Sequence, residues 1–243
     1  MPILTVGNTE IPYAIRYSER ARKKRIVVTP EGVEVVAPCG ALLDGEDGIA
    51  AFVHEKRRWT FDAVREVKAK QGKLLTQHYQ SGAKLQYRGR WLMLDVQSSP
   101  CEAVQVRCQS KFHVEVPLGL NGTQKLLAVK AGLDGWLRER SERDLQRFIR
   151  IHSKRLGVSP RGAKSAEAKH AWGTCGKDEI VRVHWRLIQA PKVAMEYVVV
   201  HELCHLIHRN HAKAFWKTVA QTMPDWAEGK AQLERWEREY RAQ

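Results

Sequence analysis

Residues 201 to 211 read HELCHLIHRNH, and no other segment constrains the chain as tightly. On an α-helix, residues four apart differ by about 40° in azimuth, so His201 and His205 project from one face and can share a tetrahedral metal ion. Glu202 sits at the edge of that face, placed to take a proton from a metal-activated water as general base. A helix continued to residue 211 would carry His211 about 240° around the axis from His205. The helix must therefore end first if His211 is to be the third ligand, and Asn210, which tolerates the left-handed region, is the expected break. His208 is the other candidate, but three residues after His205 on a continuing helix it points away from the metal. Three imidazoles leave the fourth position open, the mark of a catalytic rather than a structural site. HExxH recurs by chance, so the weight comes from context: YVVV before it and a further histidine after it. Cys204, about 100° from His205, is expected to be a small buried filler.

The chain has 243 residues, 43% of them hydrophobic, enough for one large domain or two small ones. Five cysteines at scattered spacings argue against a disulfide framework and for reduced thiols. The first ten residues lack the pattern of a secretory signal and no apolar run is long enough to span a bilayer, so the expectation is a cytoplasmic protein without a membrane partner. A formal charge of +14 implies attraction to polyanions. The basic clusters are Arg20 to Arg25, Lys56 to Arg58, and Arg138 to Arg155, the last interleaved with acids in the manner of a solvated helix face.

Period-two apolar positions predict strands at 11–17, 25–29 and 33–37, with Pro30-Glu31-Gly32 as a hairpin turn. A helix is expected over about 47–70. A second strand group follows at 84–87, 91–96, 103–107 and 112–116, with Arg88-Gly89-Arg90 as one of its turns. PLGLNG at 117–122 is the expected boundary, dividing a sheet-rich region with one helix (1–120) from a second domain (121–243). That domain starts with a long helix to about Leu156, capped by Thr123 and weakened at Gly132 and Gly135. Strands at 164–172 and 179–187 then precede a metal helix opened by Pro191, with further helices over 212–222 and 229–241. No internal repeat is evident. The fold class is α+β.

Four segments carry a resemblance: HAWGTCG at 170–176, WRLIQAP at 185–191, YVVVHELCHLIHRNH at 197–211 and KAFW at 213–216. Together with VVTPEGVEVVAP at 27–38 they resemble the YgjP-like family of metal-dependent hydrolases, related to SprT-like and other zincin metallopeptidases. The resemblance implies a zincin-like C-terminal domain in which His201, His205 and His211 hold the metal and Glu202 is the catalytic base. Zinc suits three imidazoles, with nickel, cobalt or iron able to use the same ligands. It implies a metallopeptidase acting on protein or peptide, with hydrolysis of nucleoside triphosphates such as UTP as the alternative. A third reading, a nucleic-acid-associated protein or DNA-linked protease, draws on the basic clusters and the SprT-like relationship. Thr174 stands where relatives commonly have Ser and keeps the hydroxyl, while His184 stands where many have Asn. Trp172, Thr174 and His184 are the candidate substrate contacts, and His170, His184 and Tyr197 the candidates for stabilising an oxyanion. In zinc peptidases of this type a strand beside the metal helix presents its edge to an extended substrate, a role open to the strands flanking Cys175.

Overall fold

Alternation of buried and exposed positions builds the first sheet. In the computed structural model, which describes residues 1–42, 45–167 and 171–242, four strands run β1 (Ile3–Val6), β2 (Thr9–Ser18), β3 (Arg25–Thr29) and β4 (Gly32–Pro38). Their order is β1-β2-β4-β3, with β2 and β4 parallel and the other pairs antiparallel. Ile11, Tyr13, Val33, Val35 and Ala37 face one core, where they meet Ile49 and Val53 of α1 (Gly45–Glu55). α2 (Arg57–Tyr79) follows, so the single helix expected over 47–70 is a pair. The strand β1 was not anticipated.

The second sheet comprises β5 (Lys84–Tyr87), β6 (Arg90–Ser99), β7 (Gln105–Cys108) and β8 (Phe112–Pro117). It repeats the plan of the first: order β5-β6-β8-β7, a parallel β6/β8 pair and antiparallel flanks. The registers correspond as well. Tyr13 sits opposite Val33 and Ile15 opposite Val35 in the first sheet, Leu94 opposite Phe112 and Val96 opposite Val114 in the second. The chain therefore contains a structural repeat that is not evident in its sequence, because the two copies share a burial pattern rather than residues.

α3 (Gly122–Leu156) packs Val129 and Leu133 on this second sheet and Leu137, Leu145 and Phe148 on the core that follows. Its N-cap is Asn121, not Thr123: the Asn121 side chain accepts from Gln124 N, and the Gln124 side chain accepts from Asn121 N in a capping box. The helix runs unbroken through Gly132 and Gly135. Gly132 is where Val104 reaches the helix, since a Cβ there would lie 2.5 Å from Val104 Cγ1. Because the second sheet shares its core with α3, the chain divides into compact units Met1–Gln77 and His78–Gln243 rather than at the 120/121 boundary read from PLGLNG.

A three-stranded sheet completes the frame, with β9 (Gly162–Ala166), β10 (Gly173–Cys175) and β11 (Ile180–His184) in the order β10-β11-β9. β9 is parallel to β11 and β10 antiparallel, leaving β10 at an edge. Two strands were expected here, at 164–172 and 179–187; β10 lies outside both, and residues 168–170 of the first fall outside the described residues. His184 accepts from Arg186 N and turns the chain into a 3-10 segment, Trp185–Ile188, which ends the second candidate strand early. The turn of the β5–β6 hairpin places Arg88 and Gly89 at positive φ and binds this segment: Arg88 N donates to Ile188 O, and Gly89 N to Gln189 O. Arg88 also reaches the buried Asp144 carboxylate through both oxygens, at 2.8 and 2.7 Å. α4 (Lys192–Cys204) then starts after Pro191, which is its N-cap, and α5 (Lys213–Thr222) and α6 (Trp226–Arg241) pack around it. Val199, Val200, Leu203 and Cys204 are fully buried, so Cys204 is the expected filler. All five cysteines are free thiols, and among the described residues no helix is long and apolar enough to cross a membrane.

Candidate metal centre

α4 stops at Cys204, one residue before the second histidine of the motif. His205, Leu206 and Ile207 N donate to the carbonyls of Glu202, Leu203 and Cys204, so the chain tightens into a 3-10 turn. The expected break at Asn210 is thus placed too late. Asn210 is not left-handed; its side chain accepts from Ala212 N in a local turn. The early exit brings the chain back within six residues, so that one nitrogen each of His201, His205 and His211 lies within 4.8 Å of the others. The Nε2 atoms of His201 and His211 are 2.9 Å apart. Tetrahedral coordination at zinc–nitrogen bonds of about 2.0–2.1 Å needs nitrogens roughly 3.3 Å apart, a spacing that the His201–His211 pair approaches.

Each ring is held from outside. His205 Nδ1 lies 2.9 Å from the His208 carbonyl, which fixes the tautomer with Nε2 free to coordinate. The His208 side chain is turned away and bonds Thr218 Oγ1 at 3.0 Å, and Thr218 in turn donates to Ala214 O. His208 is therefore not part of the cluster; its backbone is. Beneath all three histidines lies Phe215, fully buried, with its ring centroid 4.9, 4.8 and 4.7 Å from those of His201, His205 and His211. His201 Nδ1 is buried and has no hydrogen-bond partner among the described residues. Burial, then the neighbouring His205, His211 and Lys230, lowers the His201 pKa to about 4, so the ring is neutral and ready to ligate at pH 7.

Glu202 is buried, at 7% exposure, between α4 and the edge strand β10. Burial raises its carboxyl pKa to about 7, and a hydrogen bond from Cys175 N opposes the rise. Its closeness to β10 depends on Gly173, where a Cβ would stand 2.8 Å from Glu202 Oε1 and 2.7 Å from Val198 Cγ1. Trp216 and Trp226 pack at a tilt with centroids 5.0 Å apart, with Trp216 5.9 Å from His211 and Tyr197 5.8 Å from His201.

The remaining candidates divide. Trp172 packs on Trp236 and Tyr240 of α6, at 4.9 and 5.7 Å, and on His184 at 5.2 Å; among the described residues neither Trp172 nor His184 has a ring contact with the three histidines. Thr174 is exposed on β10. Tyr197 is buried against His201 and Trp226, and His170 lies outside the described residues. Sequence reasoning missed Phe215, Gly173, Thr218 and the His208 carbonyl. Gly173 lies in HAWGTCG and Phe215 in KAFW, but a side-chain motif says nothing of a floor, a close approach or a backbone acceptor.

Three clustered imidazoles beside a buried carboxylate of raised pKa define a site of the metallohydrolase class. The chain belongs to the YgjP-like family, whose metallopeptidase-domain model matches residues 22–236. Among solved structures it is similar to the crystal structure of the metallopeptidase zymogen of Pyrococcus abyssi abylysin, at 19% identity and a TM-score of 0.34 over 37% of this chain and 90% of that one. No curated protein sequence matches the chain.

Proposed function

We propose that the protein is a zinc-dependent peptidase whose general base is Glu202. The observation that carries this reading is the Glu202 carboxylate, buried one residue from His201 and held by Cys175 N, beside three converging imidazoles. Zinc on His201, His205 and His211 would act as a Lewis acid, acidifying water and polarising the scissile carbonyl. A carboxyl whose pKa lies near 7 is poised both to accept the proton of the attacking water and to return it to the departing amine. The Cys175 N–H fixes the carboxylate while that exchange takes place.

β10 supplies the other half of the site. Among the described residues it pairs with β11 on one side only, and His184 N donates to Trp172 O on that side. The alternation that turns Trp172 and Thr174 toward β11 turns the backbone of Gly173 and Cys175 the opposite way, to the free edge. An extended peptide adding there would bring its carbonyl past Glu202, with Thr174 at its flank. A nucleoside triphosphatase is less well supported, because among the described residues no second group of His, Cys, Asp or Glu is arranged to hold a magnesium ion.

The test is elemental analysis and turnover on an unfolded-protein substrate and a nucleotide panel. Wild type is expected to carry about one zinc per chain and to cleave protein. Glu202→Gln keeps the zinc and loses at least about 100-fold in kcat, the scale of general-base catalysis, while His205→Ala loses the metal. Nucleotide hydrolysis without proteolysis, or Glu202→Gln at wild-type rate, refutes the reading.

A further inference from the structure

Because the two four-stranded sheets share one plan, each is a control for the other. The connection from the second strand to the third is residues 100–104, PCEAV, in the second sheet. It holds no cation and turns Val104 onto α3 at Gly132. The plan therefore needs no positive charge at this place. In the first sheet the same connection is residues 19–24, ERARKK, followed by Arg25 at the start of β3.

This loop is folded, with Ala21 N donating to Ser18 O, and Lys24 Nζ donates to Gly48 O. Arg20, Arg22, Lys23 and Arg25 are exposed, and among the described residues no carboxylate pairs with any of them. With Ser18 and Ala21 they line a concavity of about 380 Å³ whose described lining contains no acidic side chain. Four cations gathered in one short segment, whose one acid, Glu19, forms no salt bridge with them among the described residues, repel one another, a cost that a bound anion reduces. Two features narrow the anion. Three of the four are arginines, whose planar fork matches phosphate oxygens in a bidentate way. Ala21 is the one apolar residue of the lining, so nothing there can wedge into a bilayer.

We propose that the Ser18–Arg25 concavity is an anion site for the phosphate oxygens of a polyanionic chain, either the backbone of a nucleic acid or a free polyphosphate. It shares no residue with the metal centre and does not depend on the reaction assigned to it. Contacts made to phosphate alone carry no sequence preference, so the site tethers rather than reads.

The test uses the full chain and fluorescence anisotropy with a labelled 20-mer, single-stranded and duplex, over a salt series, with tripolyphosphate as competitor. The loop variant is Arg20→Gln/Arg22→Gln/Lys23→Gln. A control with the same change in net charge is Arg58→Gln/Arg65→Gln/Lys68→Gln on α2. Each phosphate contact contributes about −0.9 to the slope of log affinity on log salt for duplex and about −0.7 for single strands. The loop variant is expected to flatten the slope by about 2–3 and to lose roughly 10-fold or more in affinity at low salt, the control far less. Wild-type binding that tripolyphosphate displaces only in large excess assigns the site to nucleic acid. Binding of tripolyphosphate without the 20-mers, lost in the loop variant, assigns it to a free polyphosphate. Equal effects of the two variants, or no binding of either ligand by wild type, overturn the proposal. All the substituted side chains are exposed, so unchanged circular dichroism and thermal midpoints verify folding.

Discussion

Replacing Gly173 with alanine adds one methyl group between the edge strand and the Glu202 carboxylate, the proposed general base. The glycine is not at positive φ, so the substitution brings no backbone strain of its own and its effect is steric. The new Cβ would stand 2.7 Å from Val198 Cγ1, 2.8 Å from Glu202 Cγ and 2.8 Å from Glu202 Oε1. Unstrained carbon contacts are about 3.5–4.0 Å, so something must give by about 1 Å. Val198 is buried in a packed helix and yields little, and β10 is tied by its ladder to β11. Glu202 is the mobile partner. Its displacement breaks the bond from Cys175 N and moves the carboxylate off the line of the attacking water.

Overpacking of this kind costs about 1–3 kcal/mol of stability. In a chain of this size that is a fall of about 2–12 °C in Tm. A misplacement of about 1 Å in a catalytic group costs on the order of 100-fold in rate. The nearest atoms to the new methyl include none of the three histidines, so zinc content is expected to stay at wild type and KM to change little while kcat falls about 100-fold. Steady-state kinetics on a peptide substrate, with zinc measured on the same sample, gives the answer. A Gly173→Ala protein with full zinc and wild-type kcat refutes both the packing of Glu202 against β10 and its role as base.

Phe215→Ala removes the floor under three rings; it should cost about 3–5 kcal/mol as a buried aromatic truncation. It should also weaken zinc binding by about 10- to 100-fold in a chelator competition, the range for losing support of a ligand set; a loss of stability with unchanged zinc affinity would leave Phe215 as ordinary core. For Glu202 in the metal-free protein, burial raises the folded pKa from 4.5 to about 7. The stability linked to that carboxyl is fully present below about 4.5 and is lost as pH rises through about 7. Metal-free Glu202→Gln escapes the loss, so its Tm advantage over metal-free wild type should grow from pH 5 to pH 8. A difference that is flat with pH contradicts the raised pKa.

The clustering of His201, His205 and His211 was legible because their spacing limits how a helix can present them. The position of the helix end was not. Asn210 has the residue type for a left-handed stop, but the turn is made earlier by backbone bonds from His205, Leu206 and Ile207, available to any sequence. The strands at 25–29 and 84–87 were read with their observed bounds because alternation and a turn frame both. The domain boundary was misjudged for a tertiary reason: turn formers mark PLGLNG, yet Leu133 of α3 shares a core with Phe112 and Val114 across it. Trp172 lies in HAWGTCG and His184 just before WRLIQAP, and their contacts with α6 and the 3-10 segment cannot be inferred from spacing.

The paired sheets also pose a hazard during folding. Backbone ladders cannot tell one copy from the other, so β2 could pair with β8, or β6 with β4, in an unfinished chain. Side-chain volume separates them. The first copy sets the large Tyr13 opposite the small Val33, the second the smaller Leu94 opposite the large Phe112. A crossed pairing would crowd Tyr13 onto Phe112 or leave a void between Leu94 and Val33, and either error costs a few kcal/mol. Inverting large and small between the copies thus acts as a lock and key within one chain, admitting each strand to a single berth.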